Sequence, residues 1–93
     1  MKKTIINLNQ VKKNDNLVIR KLNDNYFFTI GGDAYEANEI GAIIVNAIGK
    51  DLSIDNLCER LSKKYSFDDC EKIKADVYEY LRFLYTERLL LDV

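Results

Sequence analysis

The stretch Tyr26-Phe27-Phe28-Thr29-Ile30-Gly31-Gly32-Asp33-Ala34-Tyr35-Glu36-Ala37-Asn38-Glu39-Ile40 carries the fold. Its first five residues are aromatic or β-branched, the types that suit a pleated surface. Gly31-Gly32-Asp33 follows, and glycine adopts positive φ at low cost, so a tight turn is expected there. Ala34 to Ala37 then reads as a short strand returning antiparallel to the first. Asn38 is a good helix N-cap, and Glu39 places a negative charge in the first turn, where the helix dipole favours it. Strand, turn, strand and helix start thus lie within fifteen residues.

Working outward, Leu17 to Lys21 reads as a further strand, joined to the aromatic one by the turn composition Leu22-Asn23-Asp24-Asn25. Residues 1–16 are expected to form an extended, weakly ordered arm, with a single domain over 17–93. Downstream, Ile40, Ile43, Ile44, Ala47 and Ile48 recur at helical spacing up to Gly49. Ser53 caps a second helix whose buried stripe is Ile54, Leu57, Cys58, Leu61 and Tyr65. Ser66 or Asp68 caps a third, longer helix running to about Arg88. Leu89-Leu90-Leu91-Asp92-Val93 reads as a short extended tail packed back on the domain. The fold class is α+β: a three-stranded antiparallel sheet followed by three helices, winged helix-turn-helix-like.

Composition excludes most chemistry. Histidine is absent, which removes the commonest general base and the usual triads. Neither Cys58 nor Cys70 belongs to a Cys-x-x-Cys pair, and no Gly-rich loop matches a phosphate cradle. No catalytic residue, metal or cofactor is assigned, and the chain is read as no enzyme. Cys70 falls in the first turn of the third helix, where a dipole lowers thiol pKa values, but a small half-buried residue accounts for it. Lys and Arg number 14 against 15 Asp and Glu, so there is no global field to hold a polyanion. The stretch 1–22 is locally basic and reads as a solvated arm or a docking surface for an acidic partner. No apolar run is long enough for a membrane span or a signal peptide, and a cytoplasmic setting with reduced thiols is expected.

Two surfaces stand out. The third helix carries two adjacent apolar stripes, Ile73, Val77, Tyr80 and Leu84 beside Tyr78, Leu81 and Tyr85, wider than a single core face requires. The helix either packs on two neighbours or leaves part of this face lining a groove. The Ala34–Ala37 strand ends the meander and is expected at a sheet edge, with no proline or lysine to protect it. An open edge beside an apolar helix captures an extended peptide by strand addition.

The residues resemble the PqqD-like family. Glu36-Ala37-Asn38-Glu39-Ile40-Gly41-Ala42-Ile43-Ile44-Val45 looks like the family's junction of last strand and first helix. Ser53-Ile54-Asp55-Asn56-Leu57 resembles the start of its second helix. Ala75-Asp76-Val77 with Tyr80-Leu81 and Leu84 resembles the third helix, and Arg88-Leu89-Leu90 its end. The likeness spans about Leu17 to Val93. Departures are Ala37 where the family has Leu, Val45 where it often has Trp, and Gly49-Lys50 where its glycine aligns with Lys50. The resemblance implies a RiPP recognition element: a non-catalytic adaptor that binds the leader of a ribosomally synthesised precursor peptide. In this family the leader adds as a strand to the third strand of the meander, against the third helix. The domain presents it to a modifying enzyme, a radical SAM maturase, cyclase or leader peptidase. Carried over, the edge is Ala34, Tyr35, Glu36 and Ala37, with Tyr35 and Ala37 facing the helix. The groove wall is drawn from Ile73, Lys74, Val77, Tyr78 and Leu81.

The competing reading is a small winged-helix DNA-binding regulator. Its recognition helix should be basic, whereas this one carries Asp68, Asp69, Glu71, Asp76, Glu79 and Glu87 against Lys72, Lys74, Arg82 and Arg88, so no nucleic-acid partner is expected. A membrane partner is not expected either. A homodimer through the open edge is the remaining alternative.

Overall fold

The structure, a computed structural model, describes residues 4–66 and 69–93. A single 3₁₀ turn, Leu8–Gln10, precedes strand β1 (Val11–Lys13). The meander is β2 (Val18–Leu22), β3 (Asn25–Ile30) and β4 (Asp33–Ala37), followed by helices α1 (Glu39–Ala47), α2 (Ile54–Tyr65) and α3 (Cys70–Thr86), and strand β5 (Leu90–Asp92). The expected three strands and three helices are present in the expected order. A second, two-stranded sheet pairs β1 with β5.

The two hairpin turns have the conformations that their residues allow. Asn23 and Gly31, each the first central residue of a two-residue turn, sit at φ 57° and 58°. Positive φ at that position matches the right-handed twist of the flanking strands. Asn38 begins α1 by accepting the Gly41 N–H on its side chain at 2.9 Å, and Ser53 begins α2 by accepting the Asn56 N–H at 3.0 Å. The start of α3 differs from expectation. Asp69 is the cap, accepting the N–H groups of Glu71 and Lys72 at 3.1 and 3.2 Å. Ser66 instead ends α2 in the left-handed region at φ 55°, and Asp68 lies outside the described residues. At the other end α3 stops at Thr86. Arg88, at φ 63°, turns the chain so that the Leu89 N–H reaches back to the Leu84 carbonyl at 2.8 Å. That is a Schellman closure, and it sends the chain into β5.

One core joins the layers. Phe28 from the sheet is fully buried with Val45 of α1, Ile54 and Leu57 of α2, and Val77, Leu81 and Leu84 of α3. The buried arc of α1 is turned from the expected stripe. Ala42 and Val45 are buried, while Ile40 and Ile43 are only half-covered, because α1 is flanked by the sheet and by α2.

The segment expected as a weakly ordered arm is tied into this core. Ile5, Leu8 and Val11 are fully buried. Leu8 N–H donates to Leu52 O, Gly49 N–H to Leu8 O and Ile54 N–H to Ile6 O, each at 2.8 Å. The segment therefore covers the α1–α2 connection, and β1 then pairs with β5. The arm reading rested on its Asn and Lys content; the three apolar residues among them are what bind it.

Candidate functional site

In the sheet order β2-β3-β4, strand β4 is an edge. Which of its backbone groups are free follows from the turns. A two-residue hairpin is closed by a hydrogen-bonded pair, and such pairs alternate along an antiparallel ladder. Ile30 and Asp33 close the second turn, with Phe28↔Tyr35 and Tyr26↔Ala37 two and four residues further on. The first turn gives the same answer. Leu22↔Asn25 closes it, so Asn25, Phe27 and Thr29 bond to β2, leaving Tyr26, Phe28 and Ile30 for β4. The N–H and C=O groups of Asp33, Tyr35 and Ala37 therefore point to β3, and those of Ala34 and Glu36 point away from the sheet.

Side chains alternate with the pleat. Tyr35 and Ala37 are half-buried, and Ala34 and Glu36 are exposed. Tyr35 meets α3: its ring stands edge-on to Phe83, with centroids 5.9 Å apart. The Tyr80 ring lies 5.9 Å from Phe83 on the same flank. Gly41, at the start of α1, leaves room for Tyr80. A Cβ at Gly41 would stand 2.6 Å from the Tyr80 hydroxyl and 3.3 Å from Ala37 Cβ. Burial raises the Tyr80 pKa. The Tyr35 pKa is raised by desolvation and by the nearby carboxylates of Glu87 and Asp33, so both phenols stay neutral donors.

These contacts give α3 a direction relative to β4. From Asp33 to Asn38 the matching helix residues are Glu87, Phe83, Tyr80 and then Asp76, so strand and helix run antiparallel, with the rings of Tyr35, Phe83 and Tyr80 along the candidate groove between them. Past the end of β4 lies a cleft of about 260 Å³ between α1, α2 and α3. It is lined mainly by Ile40, Ile44, Leu61, Ile73, Val77 and Tyr80, with Asn38 and Asp76 as its polar groups.

The residues expected to form the groove wall separate. Ile73 and Val77 line this cleft from the core side, and Leu81 is completely buried. Lys74 pairs with Asp55 of α2 at 3.0 Å. Tyr78 donates its hydroxyl to the Ile5 carbonyl at 2.6 Å, and Tyr85 donates to Asp92 of β5 at 3.2 Å. The stripe of Tyr78, Leu81 and Tyr85 thus serves the N-terminal segment and β5, and the flank facing β4 carries Tyr80 and Phe83. Phe83 was missed in the sequence. The available signal was its position three residues after Tyr80 on one helix face; in the structure 39% of this large apolar residue is exposed.

Among the described residues no three His, Cys, Asp or Glu side chains are grouped to hold a metal ion. Cys58 is buried and its thiol pKa is raised, chiefly by burial; Cys70 is exposed. No helix among the described residues is long and apolar enough to cross a membrane.

Comparison with known proteins agrees with the architecture. In the search of solved structures the chain is similar to TbiB1 in complex with the TbiA(beta) leader peptide. The TM-score is 0.72 at 18% identity, covering 85% of this chain and 93% of that one, a likeness of fold. No curated protein matches the chain. The model of the family described as coenzyme PQQ synthesis protein D (PqqD) matches residues 17–90, most of the chain. The chain belongs to the PqqD family.

Proposed function

We propose that this domain is a non-catalytic adaptor that binds the leader region of a ribosomally synthesised precursor peptide and presents it to a modifying enzyme. The leader adds as a strand to the edge of β4, and its apolar side chains seat against Tyr80 and Phe83 and in the cleft beyond Ala37. The modifying enzyme is a radical SAM maturase, a cyclase or a leader peptidase. The observation that carries this reading is the unpaired edge of Ala34 and Glu36 lying beside an exposed aromatic flank of α3. Family membership and the leader peptide bound in the TbiB1 structure support it.

Two or three main-chain hydrogen bonds at roughly 0.5–1.5 kcal/mol net, with two apolar anchors at roughly 1.5–3 kcal/mol each, sum to roughly 4–10 kcal/mol, and the upper part of that range corresponds to about micromolar affinity. The test is titration calorimetry with the leader of the cognate precursor peptide. A one-to-one complex of micromolar or tighter affinity, weakened at least tenfold by Phe83→Asp in a folded protein, is expected. Absence of binding, or binding untouched by Phe83→Asp, would remove the groove from consideration.

A further inference from the structure

The β4–α3 groove is apolar along its middle and acidic at both ends. Asp33 opens β4 and Glu87 caps the C-terminus of α3, at the end where Tyr35 meets Phe83 and its phenol donates a hydrogen bond to Glu87, and Asp76 lines the cleft at the other end. None of these three carboxylates forms an ion pair among the described residues. Among the described residues, β4 and the facing positions of α3 carry no cation: β4 reads Asp-Ala-Tyr-Glu-Ala, and the facing residues of α3 are Asp76, Tyr80, Phe83 and Glu87. Lys64 is engaged elsewhere, 2.7 Å from Glu39, and Lys21 sits over Tyr26, one strand removed from β4. Lys72, one turn before Asp76 on α3, does not line the cleft and forms no ion pair with Asp76.

We propose, resting on the peptide-adaptor reading above, that this groove selects peptides in which one apolar residue is flanked by lysine or arginine two positions before it and two positions after it. In an added strand, residues i, i+2 and i+4 face the same side, here α3. The outer two are about 13 Å apart, and Asp76 and Glu87 are separated by about 16 Å along the helix axis. Long basic side chains leaning outward cover that difference. The central apolar side chain meets Tyr80 and Phe83, and at the Tyr35 end the stem of the cation crosses aromatic ring. Because both ends of the groove are acidic, the pattern is satisfied with the peptide running in either direction.

A phage library of short random peptides, selected at physiological salt on the wild-type protein, tests this. The expected pool is enriched in Lys or Arg at i and i+4 around an apolar residue, and is lost on folded Phe83→Asp. A synthetic representative should bind Glu87→Gln about three- to fivefold more weakly, and the triple change Asp33→Asn, Asp76→Asn, Glu87→Gln tenfold or more, with the gap narrowing in high salt. The wild-type pool is itself a readout if the triple variant does not fold. A pool that depends on Phe83 but is neutral or acidic overturns the charge rule and leaves the adaptor reading standing. No enriched peptide, or enrichment indifferent to Phe83→Asp, overturns both.

Discussion

The Tyr78 hydroxyl donates to the Ile5 carbonyl at 2.6 Å, joining the middle of α3 to a segment 73 residues earlier in the chain. That bond makes the N-terminal segment part of the domain. Ile5, Leu8 and Val11 are fully buried beneath it, together contributing roughly 5–9 kcal/mol of apolar burial. A domain of this size has about 5–15 kcal/mol in all. Removing residues 1–11 is therefore expected to abolish cooperative thermal unfolding. Tyr78→Phe should lower stability by only about 1 kcal/mol, the net worth of one hydrogen bond. A truncated protein that melts like the full chain would refute this.

The two flanks of α3 should respond differently to charge. Val77 and Leu81 are inside the core, so Val77→Asp or Leu81→Asp buries an unpaired carboxylate and is expected to unfold the protein. Phe83 is partly exposed, so Phe83→Asp should shift the melting temperature by a few degrees at most and act on peptide binding. Circular dichroism melts alongside binding titrations separate the two. A folded Leu81→Asp protein with normal binding would contradict this assignment.

Gly41 is a position where a helix gives up stability for shape. Alanine there would gain about 1 kcal/mol in helix propensity, but its methyl group would collide with the Tyr80 hydroxyl. The phenol is the free end of a side chain, so it yields. Gly41→Ala is expected to leave the fold intact or slightly more stable while displacing Tyr80 and weakening peptide binding severalfold. Equal binding in a calorimetric titration would mean that the Tyr80 position is not used.

The sheet and the helices were legible in the sequence because their signals are local. Gly31-Gly32 and Asn23-Asp24 fix the two turns, Asn38 and Ser53 fix two helix starts, and the aromatic run at Tyr26 fixes the central strand. What was not legible depends on distant pairing. Ile5, Leu8 and Val11 lie among Asn and Lys, and nothing nearby announces that β1 will meet β5. The double stripe of α3 left open whether the helix packs on two neighbours or lines a groove, and did not tell which element takes which stripe. Tyr78 and Lys74 were therefore assigned to the groove wall, although the N-terminal segment and Asp55 are what they touch. Pleat alternation put Tyr35 and Ala37 on one face, taken with the family resemblance as the helix-facing one, and the Tyr35–Phe83 contact agrees for Tyr35.

Nucleic acid should be ignored. Within Cys70–Thr86 the cations Lys72, Lys74 and Arg82 are matched by Glu71, Asp76 and Glu79, and Lys74 already pairs with Asp55. Such a helix has no excess positive charge with which to release counterions from a duplex. A gel shift at physiological salt is expected to show no complex at micromolar protein. A salt-sensitive complex tighter than that would revive the winged-helix regulator.

The register of the hairpins turns the edge-strand hypothesis into a pair of opposite outcomes. The Tyr35 N–H points to Phe28 of β3, and the Glu36 N–H points away from the sheet, where an added strand would lie. Proline removes the donor at its own position and fixes φ near −65°, which an edge strand tolerates when the lost N–H was unpaired. Tyr35→Pro is therefore expected to cost about 3 kcal/mol of stability, read as a fall in melting temperature well beyond ten degrees for a chain of this length. Glu36→Pro should melt within a few degrees of the wild type but bind a leader at least tenfold more weakly, having lost one main-chain bond and gained a ring on the docking edge. Glu36→Ala is the control: it keeps the N–H and should bind nearly normally. If Glu36→Pro binds like Glu36→Ala, the peptide does not pair with β4. If Glu36→Pro unfolds while Tyr35→Pro stays folded, the inward and outward positions have been assigned the wrong way round.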